Sequence, residues 1–306
     1  MEKEMKGTIL ALLTALISGV SITANKVFVV GIDPTVFTSV RALIIGLAFL
    51  VIIAYTKKFD TKQMTAAFRT ADWRALLAIG IVGGAVAFLM FFSGLQMTTG
   101  GRASFIHKTL PIYVALLSYW FLKEKIPIRQ TYALIIMLLG TVLIFGSAIE
   151  PSALWSNPTL GDALVLGATV MWAVENTIAR KTMLKGETNW IVAFSRMFIG
   201  ALILFGVAGL TGKAGMLMAL TTTQTVNILI STGFLFGYVF CWYWAIKLIN
   251  VSKAATILLL APVISTVAGV LVLSEPVPMV QMLGSALIIA GAYAVTTVRS
   301  EMATGV

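Results

Sequence analysis

The chain has 306 residues, 59% of them hydrophobic and only 11% charged, with a mean hydropathy of +0.97 and a formal net charge of +10. A soluble domain carries about 25% charged residues, so this composition excludes a water-soluble globule and points to lipid as the main solvent. A single cysteine, Cys241, excludes an intramolecular disulfide, and one histidine, His107, leaves no basis for a conventional zinc site.

A helix needs about 20 apolar residues to cross the hydrocarbon core, and charges, prolines and glycines divide the chain into ten such runs. The first, 7–30, is too long for the core of a cleavable signal peptide and reads as a span that also directs insertion. Asn25 and Lys26 lie near its end. A second span covers 35–55 and contains Arg41. The third, 75–95, carries Gly80, Gly83 and Gly84, which allow close helix contact, and then Phe88 and Phe92 one turn apart. The fourth, 103–122, holds His107, Lys108, Pro111 and Tyr113, and the fifth covers 128–147. The sixth, 160–179, contains Trp172 and Glu175, and the seventh, 190–210, contains Arg196. The eighth, 225–246, places Tyr238 and Trp242 one turn apart, the ninth, 254–273, contains Pro262, and the tenth covers 279–298. These runs are long and continuous, whereas barrel strands alternate over about ten residues. The predicted fold is therefore an all-α membrane protein of ten transmembrane helices.

The basic residues set the orientation. With the N-terminus in the cytoplasm, only Arg102 and Lys213 of the 22 Lys and Arg fall in outer segments, and four (Lys26, Arg41, Lys108, Arg196) lie within spans. All the others face the cytoplasm, as the positive-inside rule requires. Both termini are thus expected inside, in the cell (inner) membrane of a multi-pass protein. The basic excess marks topology rather than a nucleic-acid partner.

A shift of 151 residues superposes Ala103 on Ala254, Pro111 on Pro262, Glu124 on Glu275, Pro127 on Pro278, Gln130 on Gln281 and Gly140 on Gly291. The match drifts to an offset of 154–155 earlier in each half, where Lys26 pairs with Arg180 and Arg41 with Arg196. Two repeats are expected, 1–148 and 149–306. Five spans is an odd number, so the second copy should sit upside down, the arrangement of many secondary carriers.

The Pro-containing span running into an acid, Pro111 to Glu124 and Pro262 to Glu275, resembles the EamA repeat of the drug/metabolite transporter superfamily. So does the first span ending in a basic residue, ISGVSITANK, with its mate MWAVENTIARK. The resemblance covers nearly the whole chain. It implies a ten-helix bundle whose central cavity is lined by the first four helices of each repeat, with the fifth of each at the periphery. It also implies a carrier, in a superfamily whose substrates range from amino acids and drugs to sugars, nucleotide-sugars and quaternary amines.

Charged groups inside a span are costly and usually face the bundle interior or a wet cavity. At about 1.5 Å per residue, Lys26, Arg41, His107 and Lys108 fall roughly 6–12 Å to the outer side of the midplane, and Glu175 and Arg196 about 6 Å to the inner side. Glu175 and Arg196 are expected to form a buried ion pair that either ties two helices together or switches with a coupling proton. Lys26 and Arg41 read as cations without an intramembrane acid. Snorkelling toward the outer headgroups would account for them, with Arg180 and Arg196 doing the same inward. His107 and Lys108 are different, because their repeat equivalents are Leu258 and Leu259 and scaffold symmetry cannot explain them. A break in symmetry marks a candidate specificity site. Asn25, Phe88, Tyr113, Trp172, Tyr238 and Trp242 complete the candidate substrate-binding set, the aromatics being suited to stacking or cation–π contact. Pro111 and Pro262 each remove a helical hydrogen-bond donor mid-span and are candidate hinges.

A membrane enzyme would need an acid/base or metal constellation that the chain does not supply. The nearest approach to a phosphate loop, at Gly212-Lys213, has Val207 and Ala214 at positions that require Gly and Ser/Thr. The expected function is secondary transport, by alternating access, of an amino acid or related carboxylate-bearing metabolite, in the export direction. An organic cation held by Glu175 and the aromatics is the alternative. The expected partners are the small-molecule substrate, the lipid bilayer and a coupling proton. No cofactor, metal or nucleic acid is expected, and the chain should act as a monomer or weak homodimer.

Overall fold

In hydrocarbon every backbone N–H and C=O must find its partner within the protein, and a helix meets that demand along one continuous segment. The computed structural model describes residues 2–146 and 159–299, and among them every regular element is helical. The expected boundary at 148/149, and Ser147 at the end of the fifth expected span, lie outside the described residues.

The main elements are α1 (Glu2–Phe28), α2 (Pro34–Thr56), α3 (Thr61–Arg69), α4 (Trp73–Met97), α5 (Gly100–His107), α6 (Leu110–Phe121), α7 (Ile128–Gly146), α8 (Leu160–Leu184), α9 (Asn189–Leu210), α10 (Thr222–Leu248), α11 (Val251–Leu258), α12 (Ala261–Leu273) and α13 (Met279–Thr296). Eight helices among the described residues are long and apolar enough to span a membrane: α1, α2, α4, α7, α9, α10, the run Val251–Leu273 formed by α11 and α12, and α13. Two segments expected to span fall short for identifiable reasons. The fourth, α5 with α6, carries Arg102, His107 and Lys108, and α8 carries Asp162, Glu175, Arg180 and Lys181 among its 25 residues.

Each of the two prolines does more than bend its helix. Pro111 stands four residues after His107, so its ring would clash with the His107 carbonyl and its nitrogen offers that carbonyl no proton. Helix α5 accordingly ends at His107. The chain is tied through the break by Thr109, whose N–H and hydroxyl both donate to Ile106 O at 3.1 and 2.6 Å. Pro262 acts on Leu258 in the same way. Helix α11 ends there, and Leu260 N–H donates to Ile257 O at 3.0 Å. Helix α4 has its own irregularity, a π-type turn over Ile79–Val86 that the sequence pattern did not announce.

Packing follows the internal repeat. Helix α1 packs on α10 and α12, and its mate α8 packs on α4 and α6; α2 pairs with α9, and α7 with α13. Each of these pairs joins one half of the chain to the other. Lipid offers no hydrophobic gain for helix association, so contact depends on close approach. A Cβ on Gly200 of α9 would lie 2.5 Å from Gly84 O of α4, and one on Gly140 of α7 would lie 2.5 Å from Gly284 O of α13.

Two further cross-half links close the connectors. Arg102 meets Asp162 at 2.7 Å, and Lys213 meets Asp33 at 2.9 Å. Asp33 also caps α2 by accepting from Thr35 N and Val36 N. Burial alone would push the Asp33 carboxyl up. Its bond to Lys213 and the two N–H donors outweigh that and hold it below the usual carboxylate range. The stability from this group is therefore complete above about pH 4, where a free Asp is ionised, and is lost as pH falls through the lower folded value. In detergent-solubilised protein, Asp33→Asn should flatten the fall of the thermal unfolding midpoint below about pH 4. An unchanged acid limb would show that the cap contributes nothing.

Candidate functional site

The two helix breaks place polar backbone and side chains where an unbroken span would present only an apolar stripe. At the first of them, His107 and Lys108 border a cavity of about 220 Å³ enclosed by α1, α4, α8, α9, α10 and α11. Helix α1 contributes Ser18, Ser21 and Asn25, residues three or four apart and so on one face. Asn25 is held on both sides: its Nδ2 donates to Ser21 Oγ at 3.1 Å and its Oδ1 accepts from Ser231 Oγ at 2.6 Å.

The opposite wall is aromatic, and its polar edges are occupied. Trp172 Nε1 donates to Gly83 O at 3.1 Å, inside the π-type turn, and Trp242 Nε1 donates to Asn176 Oδ1 at 2.8 Å. Phe88 meets Trp172 edge-on at 5.2 Å between centroids, Tyr238 stacks near Trp242 at 6.4 Å, and His107 lies 5.0 Å from the Trp172 ring. With both indole N–H groups engaged, Trp172 and Trp242 are fixed in orientation and present ring faces rather than donors.

Glu175 stands one layer behind this wall. It is fully buried; its Oε1 accepts from Tyr243 Oη at 2.6 Å, and its Oε2 lies 3.9 Å from Arg196 Nε without a hydrogen bond. Arg196 lines the cavity, whereas the Glu175 carboxylate does not. A side chain at Gly83 would overlap Glu175, which accounts for the glycine in the π-type turn.

A second cavity, about 380 Å³, adjoins the first through Ile22, His107 and Lys108 and is lined on its far side by Lys26, Pro262, Glu275 and Gln281. Lys26 meets Glu275 here at 2.9 Å, with both side chains about half exposed. The expectation that Lys26 has no acid beside it is therefore corrected. Glu275 belongs to the turn after α12, where Ser274 adopts a left-handed conformation (φ 54°) that carries the chain back toward α1. The inward-snorkelling reading of Arg180 is corrected as well. Arg180 is 1% exposed, its Nε donates to Glu124 Oε1 at 3.1 Å, and its Nη1 donates to Ile246 O and Lys247 O at 2.6 and 2.7 Å. Arg41 is also buried, with its guanidinium 4.5 Å above the Phe37 ring.

The structure thus brings Asn25, Phe88, His107, Lys108, Trp172, Arg196, Tyr238 and Trp242 around one cavity. It places Lys26 on the second cavity, Glu175 off the cavity wall, and Tyr113 among side chains packed on the core. Pro111 and Pro262 sit at the two breaks. Sequence reasoning missed Ser18, Ser21 and Asn176. The serines could have been found from their spacing with Asn25, and Asn176 from standing one turn after Trp172.

The sequence profile of the family described as "EamA-like transporter family" matches residues 5–146 and 159–297. A protein of Archaeoglobus fulgidus named as an uncharacterized transporter is 30% identical over 300 residues, covering 96% of this chain and all of that one. The uncharacterized transporter YoaV of Bacillus subtilis is 28% identical over 286 residues, 91% of this chain and 92% of its own. A solved structure titled only as that of a protein superposes with a TM-score of 0.74 at 17% identity, covering 95% of this chain and 98% of the other. At that identity the likeness extends to the fold.

Proposed function

The chain belongs to the EamA-like transporter family, and on that premise we propose that it exports an amino acid or closely related carboxylate-bearing metabolite by alternating access. It is a multi-pass membrane protein with several apolar helices, so the bilayer and a small-molecule substrate are its surroundings and its cargo. The observation that carries the substrate class is Lys108. It stands on the wall of both cavities, and among the described residues its side-chain ammonium has neither a hydrogen bond nor an ion pair. Arg196 and Lys26, the other cations on these walls, each face a carboxylate of the protein. A cation without a partner in a cavity recruits an anionic group from what enters, and the polar face of Ser18, Ser21 and Asn25 suits the rest of a small zwitterion.

The same reading includes ten spans, with α5 and α6 together forming the fourth and α8 the sixth. The halves 1–148 and 149–306 are inverted relative to each other and both termini are cytoplasmic. It is supported by the positive-inside count and by packing that pairs each helix with a partner from the other half. Pro111 and Pro262 serve as hinges, Glu175 with Arg196 as the proton-coupling pair, and the working unit is a monomer or weak homodimer. A second reading, an organic cation caged by Trp172, Tyr238 and Trp242, is favoured by the fixed ring faces. The place of Arg196 on the cavity wall, with Glu175 off it, weighs against it.

Uptake by proteoliposomes, screened over amino acids, organic anions and quaternary amines with and without a pH gradient, tests these readings. Saturable carriage of a carboxylate is expected, driven by the gradient in wild type and indifferent to it in Glu175→Gln. Saturable uptake of a choline-like cation that disappears in Glu175→Gln would replace the carboxylate reading with its rival.

A further inference from the structure

The repeat pairs Lys26 with Arg180 and Glu124 with Glu275. Folding joins these four residues crosswise: Lys26 of the first half to Glu275 of the second, and Arg180 of the second half to Glu124 of the first. The two ion pairs are thus one device present twice, at opposite ends of the bundle, and they are not in the same condition. The Arg180–Glu124 pair is 1% and 0% exposed, whereas the Lys26–Glu275 pair is 50% and 44% exposed.

The bonding differs in the same sense. Arg180 also takes the Ile246 and Lys247 carbonyls at the end of α10, and Glu124 Oε1 also accepts from Val251 N at the start of α11, at 3.4 Å. One ion pair therefore fastens α8, the end of α6, α10 and α11 together. Among the described residues the side chains of Lys26 and Glu275 bond only to each other, at 2.9 and 3.3 Å, and they border the larger cavity. The first pair is a fully made fastening. The second is the same fastening with its backbone partners not yet engaged.

We propose that Lys26–Glu275 and Arg180–Glu124 are reciprocal latches that close the two ends of the transport path in turn. In the state described here the Arg180–Glu124 latch is closed and the Lys26–Glu275 end is open. The repeat fixes the form of the other state. Shifting by 151 residues carries Ile246 and Lys247 onto Leu95 and Gln96 at the end of α4, and Val251 onto Gly100 at the start of α5. When the outer end closes, Lys26 takes the Leu95 and Gln96 carbonyls, Glu275 accepts from Gly100 N, and Arg180–Glu124 loses its backbone partners to water. Opposite changes at the two ends are what keep the path from being open throughout.

The latch proposal rests on the alternating-access part of the reading above but not on its substrate class, so its test needs no substrate. The single cysteine permits a clean reporter: Cys241→Ala to clear the background and Ser18→Cys in the central cavity. Labelling by a membrane-impermeant maleimide is compared between right-side-out and inverted vesicles. Arg180→Ala or Glu124→Gln should move labelling toward the cytoplasmic side by at least about tenfold, since each removes one or more charge-assisted hydrogen bonds. Lys26→Ala or Glu275→Gln should move it the opposite way. The latter two residues are half exposed, so their removal leaves the buried core intact if the Arg180 variants do not fold. Arg180→Lys, which keeps a cationic donor for Glu124 and the two carbonyls, should restore part of the wild-type ratio. No shift, or a shift of the same sign at both ends, overturns the proposal. Shifts of opposite sign with no carriage of any carboxylate would instead leave the latches standing and remove the substrate assignment.

Discussion

Lys108→Met is expected to lower kcat/KM for the carried carboxylate by about 10- to 100-fold, the range set by losing a charge-assisted hydrogen bond, while leaving thermal stability unchanged or higher. The two halves of that expectation have one cause. Lys108 faces the cavities at the break between α5 and α6, with no acid among the described residues paired to its charge. Placing an ammonium in such surroundings costs stability, so an apolar side chain of similar length should relieve the fold. A scaffold residue would behave in the opposite way, and its removal would lower the unfolding midpoint and spare transport. Lys108→Arg should retain part of the activity, since it keeps the charge but not the point-like ammonium. Wild-type uptake in a His107→Ala/Lys108→Ala variant would remove the pair from the site.

Arg196→Met should destabilise the protein by about 3–5 kcal/mol, the cost of leaving one charge of a buried pair uncompensated. Glu175 would keep only the Tyr243 hydroxyl, since its Oε2 has no hydrogen bond and Arg196 is its nearest cation. Adding Glu175→Gln should recover most of the loss. The pair would then be worth little net and its value would lie in function rather than stability. The measurement is a double-mutant cycle of unfolding in detergent. Simple additivity of the two losses would show that the 3.9 Å separation is too wide for the residues to act as a unit.

The positions of eight spans were legible because hydropathy and length are properties of the sequence itself. The runs read at 35–55 and 190–210 become helices Pro34–Thr56 and Asn189–Leu210. The prolines were legible as irregularities but not as breaks, because the end of each helix is set by the carbonyl four residues earlier. The proximity of Glu175 and Arg196 was legible from their places in the expected spans, whereas azimuth was not. Trp172 and Asn176 share the cavity face of α8, and Glu175, adjacent to Asn176, is turned about 100° away toward Tyr243. The Lys26–Glu275 contact was hidden because the acid lies beyond the end of its span, and only the left-handed turn at Ser274 brings it back. The π-type turn at Ile79–Val86 left no periodic signature that would distinguish it from an ordinary run of small and β-branched residues.

The crosswise pairing also bears on how the protein is made. Glu124 emerges from the ribosome 56 residues before Arg180, and Lys26 emerges 249 residues before Glu275. At roughly 5–20 residues per second the first wait lasts about 3–11 s and the second about 12–50 s. For that interval the growing chain holds charges at the membrane whose counterions have not yet been synthesised. Nascent α1 and α6 must therefore be sheltered by the insertion machinery, or by water at the lipid boundary, until translation delivers their partners. Slowing elongation through the second half would prolong this exposed stage and leave more chains to degradation, with no change in the finished molecule.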